Sequence, residues 1–169
     1  MATTIRRAEP RDLDFVVELA NHDEVEPFLS ARRPREPEEL LAEIERSRRE
    51  RFTFGRFVVE VDGERAGVMG FEVENRRSRI AWLGGLAVHP DFRGRRVADE
   101  AARLLQRHLL FELGYHRLEL ECYAFNDRAI RHAERAGYVR EGTKRKAYRR
   151  HGEWADGVQF GLLREDLEE

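Results

Sequence analysis

Leu86-Ala87-Val88-His89-Pro90-Asp91-Phe92-Arg93-Gly94-Arg95-Arg96-Val97-Ala98 is the stretch on which the reading of the fold turns. It begins as an apolar strand. Pro90 stops that strand because it has no N–H to give to a sheet ladder. A charged turn with one glycine follows, and Val97 to Leu105 opens a long helix. Strand, glycine turn and helix together present unpartnered backbone N–H groups and the positive end of a helix dipole to an anion. Arg93, Arg95 and Arg96 add fixed positive charge. This combination suits a phosphate group. It also suits an ordinary strand-to-helix turn with solvated arginines.

Upstream, Phe57 to Val61 and Arg65 to Val73 read as two strands joined by Asp62-Gly63, a strong tight-hairpin signal. Gly67 and Gly70 inside the second strand point to bulges or a close backbone approach. Arg79 to Val88 reads as a third strand, so the middle of the chain is an antiparallel meander. Before it lie a short strand at Thr4 to Ala8, a helix starting near Pro10 and Asp12, an apolar cluster at Val25, Phe28 and Leu29, and a break over Arg32 to Pro37. A charged helix from Glu38 to Arg51 follows the break. Downstream, the helix opened at Gly94 or Arg95 runs to Leu113, and Gly114 stands where a left-handed cap belongs. Arg117 to Tyr123 alternates as a strand. Strand, helix, strand in so short a span implies a parallel pair with a right-handed crossover. Another helix begins at Asn126-Asp127 and ends at Gly137, and a hairpin turned at His151-Gly152 closes the chain. The expected fold is one α+β domain over residues 1–169, built on a mixed sheet with a parallel pair at its middle.

The bulk composition narrows the function. The 169 residues are 41% hydrophobic and 38% charged, yet the net charge is only -2. No global field of the kind used by a general nucleic-acid binder is present. Cys122 is the only cysteine, which excludes an internal disulfide framework and a cysteine-rich zinc site. The chain carries no apolar run of membrane-spanning length and no signal-peptide pattern, so a cytoplasmic protein without membrane or metal is expected.

The order of these elements, with these residues at the joints, resembles the GNAT superfamily of N-acetyltransferases. Three motifs carry the resemblance. Arg93-Gly94-Arg95-Arg96-Val97-Ala98 is similar to the family's acetyl-CoA signature, Arg/Gln-x-x-Gly-x-Gly/Ala. Asn126 to Tyr138 resembles its Asn-x-x-Ala/Ser…Gly-Phe/Tyr motif, with Ala129 at the fourth position. Glu141-Gly142, Tyr148, Gly152, Trp154 and Asp156 resemble the C-terminal hairpin of the branch that acetylates ribosomal-protein N-termini and of its small-amine relatives. The resemblance implies a mostly antiparallel sheet of about seven strands, flanked by helices, in which the parallel pair splays. It implies acetyl-CoA as cosubstrate, with its pantetheine arm along Leu86, Ala87 and Val88. The pyrophosphate then lies on the N–H groups from Arg93 to Ala98, and Asn126 and Ala129 lie beside the pantetheine. It implies direct attack by a primary amine, either a protein N-terminus or a small molecule, and a homodimer as a common state of such domains. An acyl-CoA-binding or sensing module without turnover is the alternative. Two positions depart from the pattern. Arg96 stands where the family has its central glycine, a place a non-glycine fills readily if its φ is negative. Ala133 stands where many relatives carry a tyrosine that protonates the leaving thiolate.

Candidate catalytic groups come from the strand and the hairpin. Glu119 and Glu121 share a face with Tyr123, and a carboxylate beside the acetyl group could take the amine's proton; both glutamates equally suit pairing with arginines. Tyr148 is placed to project from the hairpin into the same pocket or to serve as a structural tyrosine. His22, Asp23, Glu24, Val25 and Phe28 fall where relatives build one wall of the acceptor site. Cys122 reads as a small core residue, and His89 and His132 as surface histidines without partners. Asn126 doubles as a helix N-cap. Arg140, Lys144, Arg145, Lys146, Arg149 and Arg150 form a basic cluster that could contact the 3′-phosphate of CoA or ribosomal RNA, and the favoured reading is a solvated edge strand kept charged against edge pairing.

Overall fold

The structure is a computed structural model that describes residues 1–29 and 36–167. Of the break expected over Arg32 to Pro37, Arg32 to Arg35 lie outside the described residues. The elements run in the expected order: β1 (Thr3–Arg7), α1 (Leu13–Ala20), α2 (Pro37–Arg49), β2 (Phe54–Val61), β3 (Glu64–Asn75), β4 (Ile80–Val88), α3 (Val97–Arg107), β5 (Arg117–Tyr123), α4 (Asp127–Arg135), β6 (Val139–Arg150) and β7 (Glu153–Leu163). The strands form one seven-stranded sheet in the order β1-β2-β3-β4-β5-β7-β6. Every neighbouring pair is antiparallel except β4 with β5, which is parallel.

Alternation along the strands divides the core between the two faces. Val59, Val61, Phe71, Leu118 and Phe160 join Ala101, Leu105 and Leu109 in one cluster on the α3 side. Val58 on the opposite face joins Ile44 of α2, and Ala87 joins Phe15 and Leu19 of α1. The hairpin at Asp62-Gly63 has φ of 50° and 83°, the positive values that a tight primed turn demands. Gly114 caps its helix with φ 79°. Gly67 is the close approach that its position suggested: a Cβ there would lie 2.5 Å from the Ala87 carbonyl oxygen.

The third helix differs from the sequence reading. It is regular only over Val97–Arg107, and a wider turn covers His108–Glu112, where the Leu113 N–H reaches the His108 carbonyl. The extra residue in that turn lets Leu109 and Leu110 both point into the core, which a strict 3.6-residue period would not place so well. Gln106, read as neither core nor site, is buried and donates to the Ala136 carbonyl at 3.1 Å, tying α3 to the end of α4.

A buried ion pair pins the entry to α1. Arg6 donates to both carboxylate oxygens of Asp12 at 2.7 and 2.9 Å, and the Glu9 N–H donates to the same carboxylate at 2.8 Å. Burial alone pushes this carboxyl up, but the Arg6 and Glu9 hydrogen bonds outweigh it, and its pKa falls below the ordinary aspartate value. A depressed folded-state pKa stabilises the fold above the ordinary aspartate range, and that contribution is lost as pH falls through the folded value. Asp12→Asn is therefore expected to lower stability by about 2 kcal/mol at neutral pH, the low end for a buried pair because Arg6 is partly exposed. Urea unfolding at a series of pH values should show the gap to wild type closing below about pH 4.

Candidate active site

β4 and β5 are paired only at Ile80↔Arg117, Ala81↔Leu118 and Trp82↔Glu119. Beyond Trp82 the two strands part, and a cleft of about 1060 Å³ opens between them. The split is built into β4. Its register with β3 passes from Gly70↔Gly84 to Val68↔Ala87, so Gly85 and Leu86 stand opposite Met69 alone. Gly85 takes φ 67° at this bulge. A bulge of this kind bends the strand and re-aims its backbone groups. Gly84 is equally constrained, since a Cβ there would lie 2.3 Å from the Trp82 indole, which folds across it.

The loop after β4 forms one end of the cleft. The His89 Nδ1 accepts from the Asp91 N–H at 3.2 Å and starts a single turn over Pro90–Phe92. Gly94 then takes φ 79° and Arg96 takes φ 59° and ψ 21°, directly before the first residue of α3. Left-handed residues in a turn draw successive N–H groups into one concavity, a nest for an anion. Arg96 thus does not meet the condition of negative φ under which a non-glycine fits readily. The turn into α3 imposes the left-handed region, and the arginine accepts it.

Of the residues proposed for the cofactor, Leu86, Ala87, Val88, Arg93, Gly94, Arg96, Val97, Ala98, Asn126 and Ala129 line this cleft. Arg95 does not; its guanidinium lies over the Phe92 ring at 5.4 Å. Asn126 caps α4 as expected, accepting from the Ala129 N–H at 3.2 Å. Arg93 donates to the Glu24 carbonyl at 3.0 Å, and its pKa is lowered by burial and by the neighbouring Arg128. Three positions escaped the sequence reading. Arg128, Arg131 and Arg135 all line the cleft from α4, and their spacing of three and four residues was the available signal of one cationic helix face.

The histidine readings change. His132 is mostly buried, 2.9 Å from the Asp99 carboxylate, which Arg135 also contacts at 3.2 Å. Its partner lies on α3, far away in sequence, which hid the pair. Burial lowers the His132 pKa even though Asp99 acts to raise it. His89 likewise has a partner in its own turn and is only 17% exposed.

The cleft also carries acidic and aromatic side chains. Glu24, Val25, Phe28, Glu121, Tyr123 and Tyr148 line it. Tyr123 donates to the Leu29 carbonyl at 3.1 Å, stacks on Phe125 at 5.0 Å and meets Tyr148 edge-on at 5.7 Å. Arg150 is not a solvated edge residue: it donates to the Glu26 carbonyl at 2.9 Å and lies 3.2 Å from the Glu26 carboxylate. Arg93 and Arg150 thereby hold the segment around Glu24 and Glu26 from opposite sides. Glu119 faces a neighbouring groove outside the cleft and accepts from Arg117 at 2.9 Å. Glu121 lies on the wall between the two. Its Oε2 accepts from Lys144 at 3.3 Å, and its buried Oε1 has no hydrogen-bond partner among the described residues. Gly157 makes room for that oxygen, since a Cβ there would lie 2.0 Å from it. Burial pushes the Cys122 thiol up to about 12, which leaves it protonated and unsuited to nucleophilic attack.

A profile of the acetyltransferase (GNAT) family matches residues 15–138. The chain belongs to this family. It is an acetyltransferase with the expected GNAT fold. It is 27% identical to the prophage-derived, uncharacterized N-acetyltransferase YokL of Bacillus subtilis, over 98% of this chain and 92% of that protein. It is 26% identical to spermidine N(1)-acetyltransferase of Escherichia coli, over 94% of this chain and 84% of that one. Among solved structures, spermidine N-acetyltransferase of Vibrio cholerae in complex with CoA and spermine superposes with a TM-score of 0.87 at 21% identity, covering 99% and 98% of the two chains. The ribosomal L7/L12 α-N-protein acetyltransferase RimL in complex with CoA superposes at 0.84 with 17% identity, over 96% and 94%. No described helix of this acetyltransferase is long and apolar enough to cross a membrane.

The left-handed backbone at position 96 gives a direct test of the loop. Arg96→Gly removes a strain of about 1 kcal/mol and adds unfolded-chain freedom of similar size, so the melting temperature should stay level or rise slightly. Arg96→Val, β-branched in a left-handed position, should lower it by several degrees in the same thermal scan.

Proposed function

We propose that this acetyltransferase moves the acetyl group of acetyl-CoA directly to the primary amine of a small cationic amine of the polyamine class. The observation that carries this reading is the Glu121 carboxylate on the cleft wall, whose buried Oε1 has no hydrogen-bond partner among the described residues and which lies with Tyr123 and Tyr148 in the lining. The residues present suit the cosubstrate. The loop from Arg93 to Ala98, with Arg128, suits the pyrophosphate, because both fixed charge and convergent N–H groups favour it. The edge of β4 at Leu86, Ala87 and Val88, freed from β5 by the splay, has backbone groups for the amides of the pantetheine arm. Asn126 and Ala129 border the same channel. Acetyl-CoA supplies the acetyl group as an activated thioester.

The protein's own share is orientation, charge stabilisation and proton removal. The N–H groups re-aimed by the bulge at Gly85 and Leu86 serve as donors for the oxygen on which negative charge develops. The Glu121 carboxylate attracts the acceptor's ammonium and receives the proton that the amine sheds as it attacks. Tyr148 and Tyr123 give the amine's carbon chain and positive charge an aromatic wall. Cys122 takes no part, in keeping with direct transfer. Ala133 has no proton to offer the departing thiolate, so that proton comes from solvent. The E. coli and V. cholerae proteins named for spermidine acetylation support the amine class.

A panel of polyamines, other small amines and N-terminal peptides, read by mass spectrometry, tests the acceptor. Acetylated polyamine supports the proposal, and acetylation confined to peptide N-termini overturns the choice of acceptor. Arg93→Glu should weaken CoA binding by about tenfold or more in calorimetry while shifting the melting temperature little. Glu121→Gln should lower kcat by about a hundredfold and leave CoA affinity unchanged.

A further inference from the structure

We infer that Trp82 sets the length of the acyl group that this protein accepts: its indole closes the inner end of the cleft behind an acetyl group and excludes longer chains. The inference rests on the proposed course of the pantetheine arm along β4. That course has a direction. The loop suited to the pyrophosphate follows Val88, so the arm runs back along β4 from Val88 to Leu86, and the acyl group is its last part. The same direction continues to Gly85 and Gly84 and ends at Trp82, where β4 and β5 are still paired.

The indole stands across that path. Trp82 and Gly84 lie two residues apart and share one face of β4. A Cβ on Gly84 would lie 2.3 Å from Cη2, 2.4 Å from Cζ3 and 3.2 Å from Cζ2 of the indole. The six-membered ring therefore fills the place of a side chain at position 84, one residue from the Gly85 and Leu86 N–H groups suited to the acyl oxygen. Neither Gly84 nor Gly85 puts a side chain between the ring and the cleft.

Trp82 lines the cleft and also the neighbouring polar groove of about 130 Å³, which Glu74, Glu119 and Lys144 share. The indole is thus a partition between the two spaces. A rigid ring packed on backbone does not shrink to admit more methylenes, and forcing them in is costly. A butyryl chain needs the space the ring holds, and acetyl makes the least demand on it. Trp82 is half-buried and outside the core clusters, so its replacement leaves the main packing in place.

Calorimetry with CoA, acetyl-CoA, propionyl-CoA and butyryl-CoA, with no amine present, tests the inference. The wild type should bind acetyl-CoA about tenfold or more tighter than butyryl-CoA. In Trp82→Ala that ratio should fall to about threefold or less, while the affinity for CoA itself changes by less than about twofold. Trp82→Phe should lie between the two, and it carries the test if Trp82→Ala does not fold. Trp82 and Trp154 are the only tryptophans, and Trp154 is exposed, so in Trp154→Phe the indole fluorescence belongs to Trp82. Acetyl-CoA should change that fluorescence more than CoA does. Equal affinity of the wild type for acetyl-CoA and butyryl-CoA overturns the inference. So does a ratio unchanged in the Trp82 variants, or the same fluorescence change with CoA and acetyl-CoA. Neither measurement uses an acceptor. If the ratio behaves as expected and no polyamine is acetylated, the inference stands and the proposed acceptor falls. If a polyamine is acetylated and the ratio survives in the variants, the inference alone falls.

Discussion

The brief pairing of β4 with β5 is the constraint on which the rest depends. A parallel pair normally continues until one strand ends. Here it lasts for Ile80, Ala81 and Trp82 and then opens, although β5 continues to Tyr123 and β4 to Val88. The free edges do not collapse together because each strand is held from its other side. β4 is bonded to β3 through a bulge, and β5 is paired with β7 along its whole length. The cleft is thus a gap in a sheet whose remaining ladders are intact. Its walls are backbone, which keeps their geometry fixed at little entropic cost.

Charge is distributed along that gap in a way the overall balance hides. A net charge of -2 on a chain with 38% charged residues says only that the signs cancel globally. Locally they gather: Arg93 and Arg96 of the loop, Arg128, Arg131 and Arg135 of α4, and the carboxylates of Glu24 and Glu121 all line the gap. The segment around Glu24 and Glu26 is held both by Arg93 of the loop and by Arg150 of the hairpin. Such a link ties that segment of the cleft lining to the turn before α3 and to the C-terminal hairpin.

Much of the fold was legible in the sequence because local signals agreed with one another. Pro90 ended a strand, Asp62-Gly63 made a hairpin, Gly114 capped a helix and Asn126 capped another, and each did so in the structure. The cleft residues that follow those signals were legible for the same reason. What stayed hidden was long-range pairing between polar side chains. His132 with Asp99, Arg150 with Glu26 and Lys144 with Glu121 are contacts between elements far apart in the chain. Periodicity assigns a residue to a face of its own element, but not to the partner that the neighbouring element brings. The widened turn at His108–Glu112 was missed for a related reason: tertiary packing of Leu109 and Leu110, not local propensity, decides it.

Arg96 separates the shape of a motif from its spelling. The turn before α3 has the left-handed dihedral that glycine adopts without cost, yet an arginine occupies it. A search string that spells this loop by its glycines passes over the chain, whereas one written in backbone angles finds it. The vocabulary open to position 96 is accordingly set by which side chains tolerate positive φ, so glycine, asparagine and aspartate are its natural synonyms and valine or isoleucine are not.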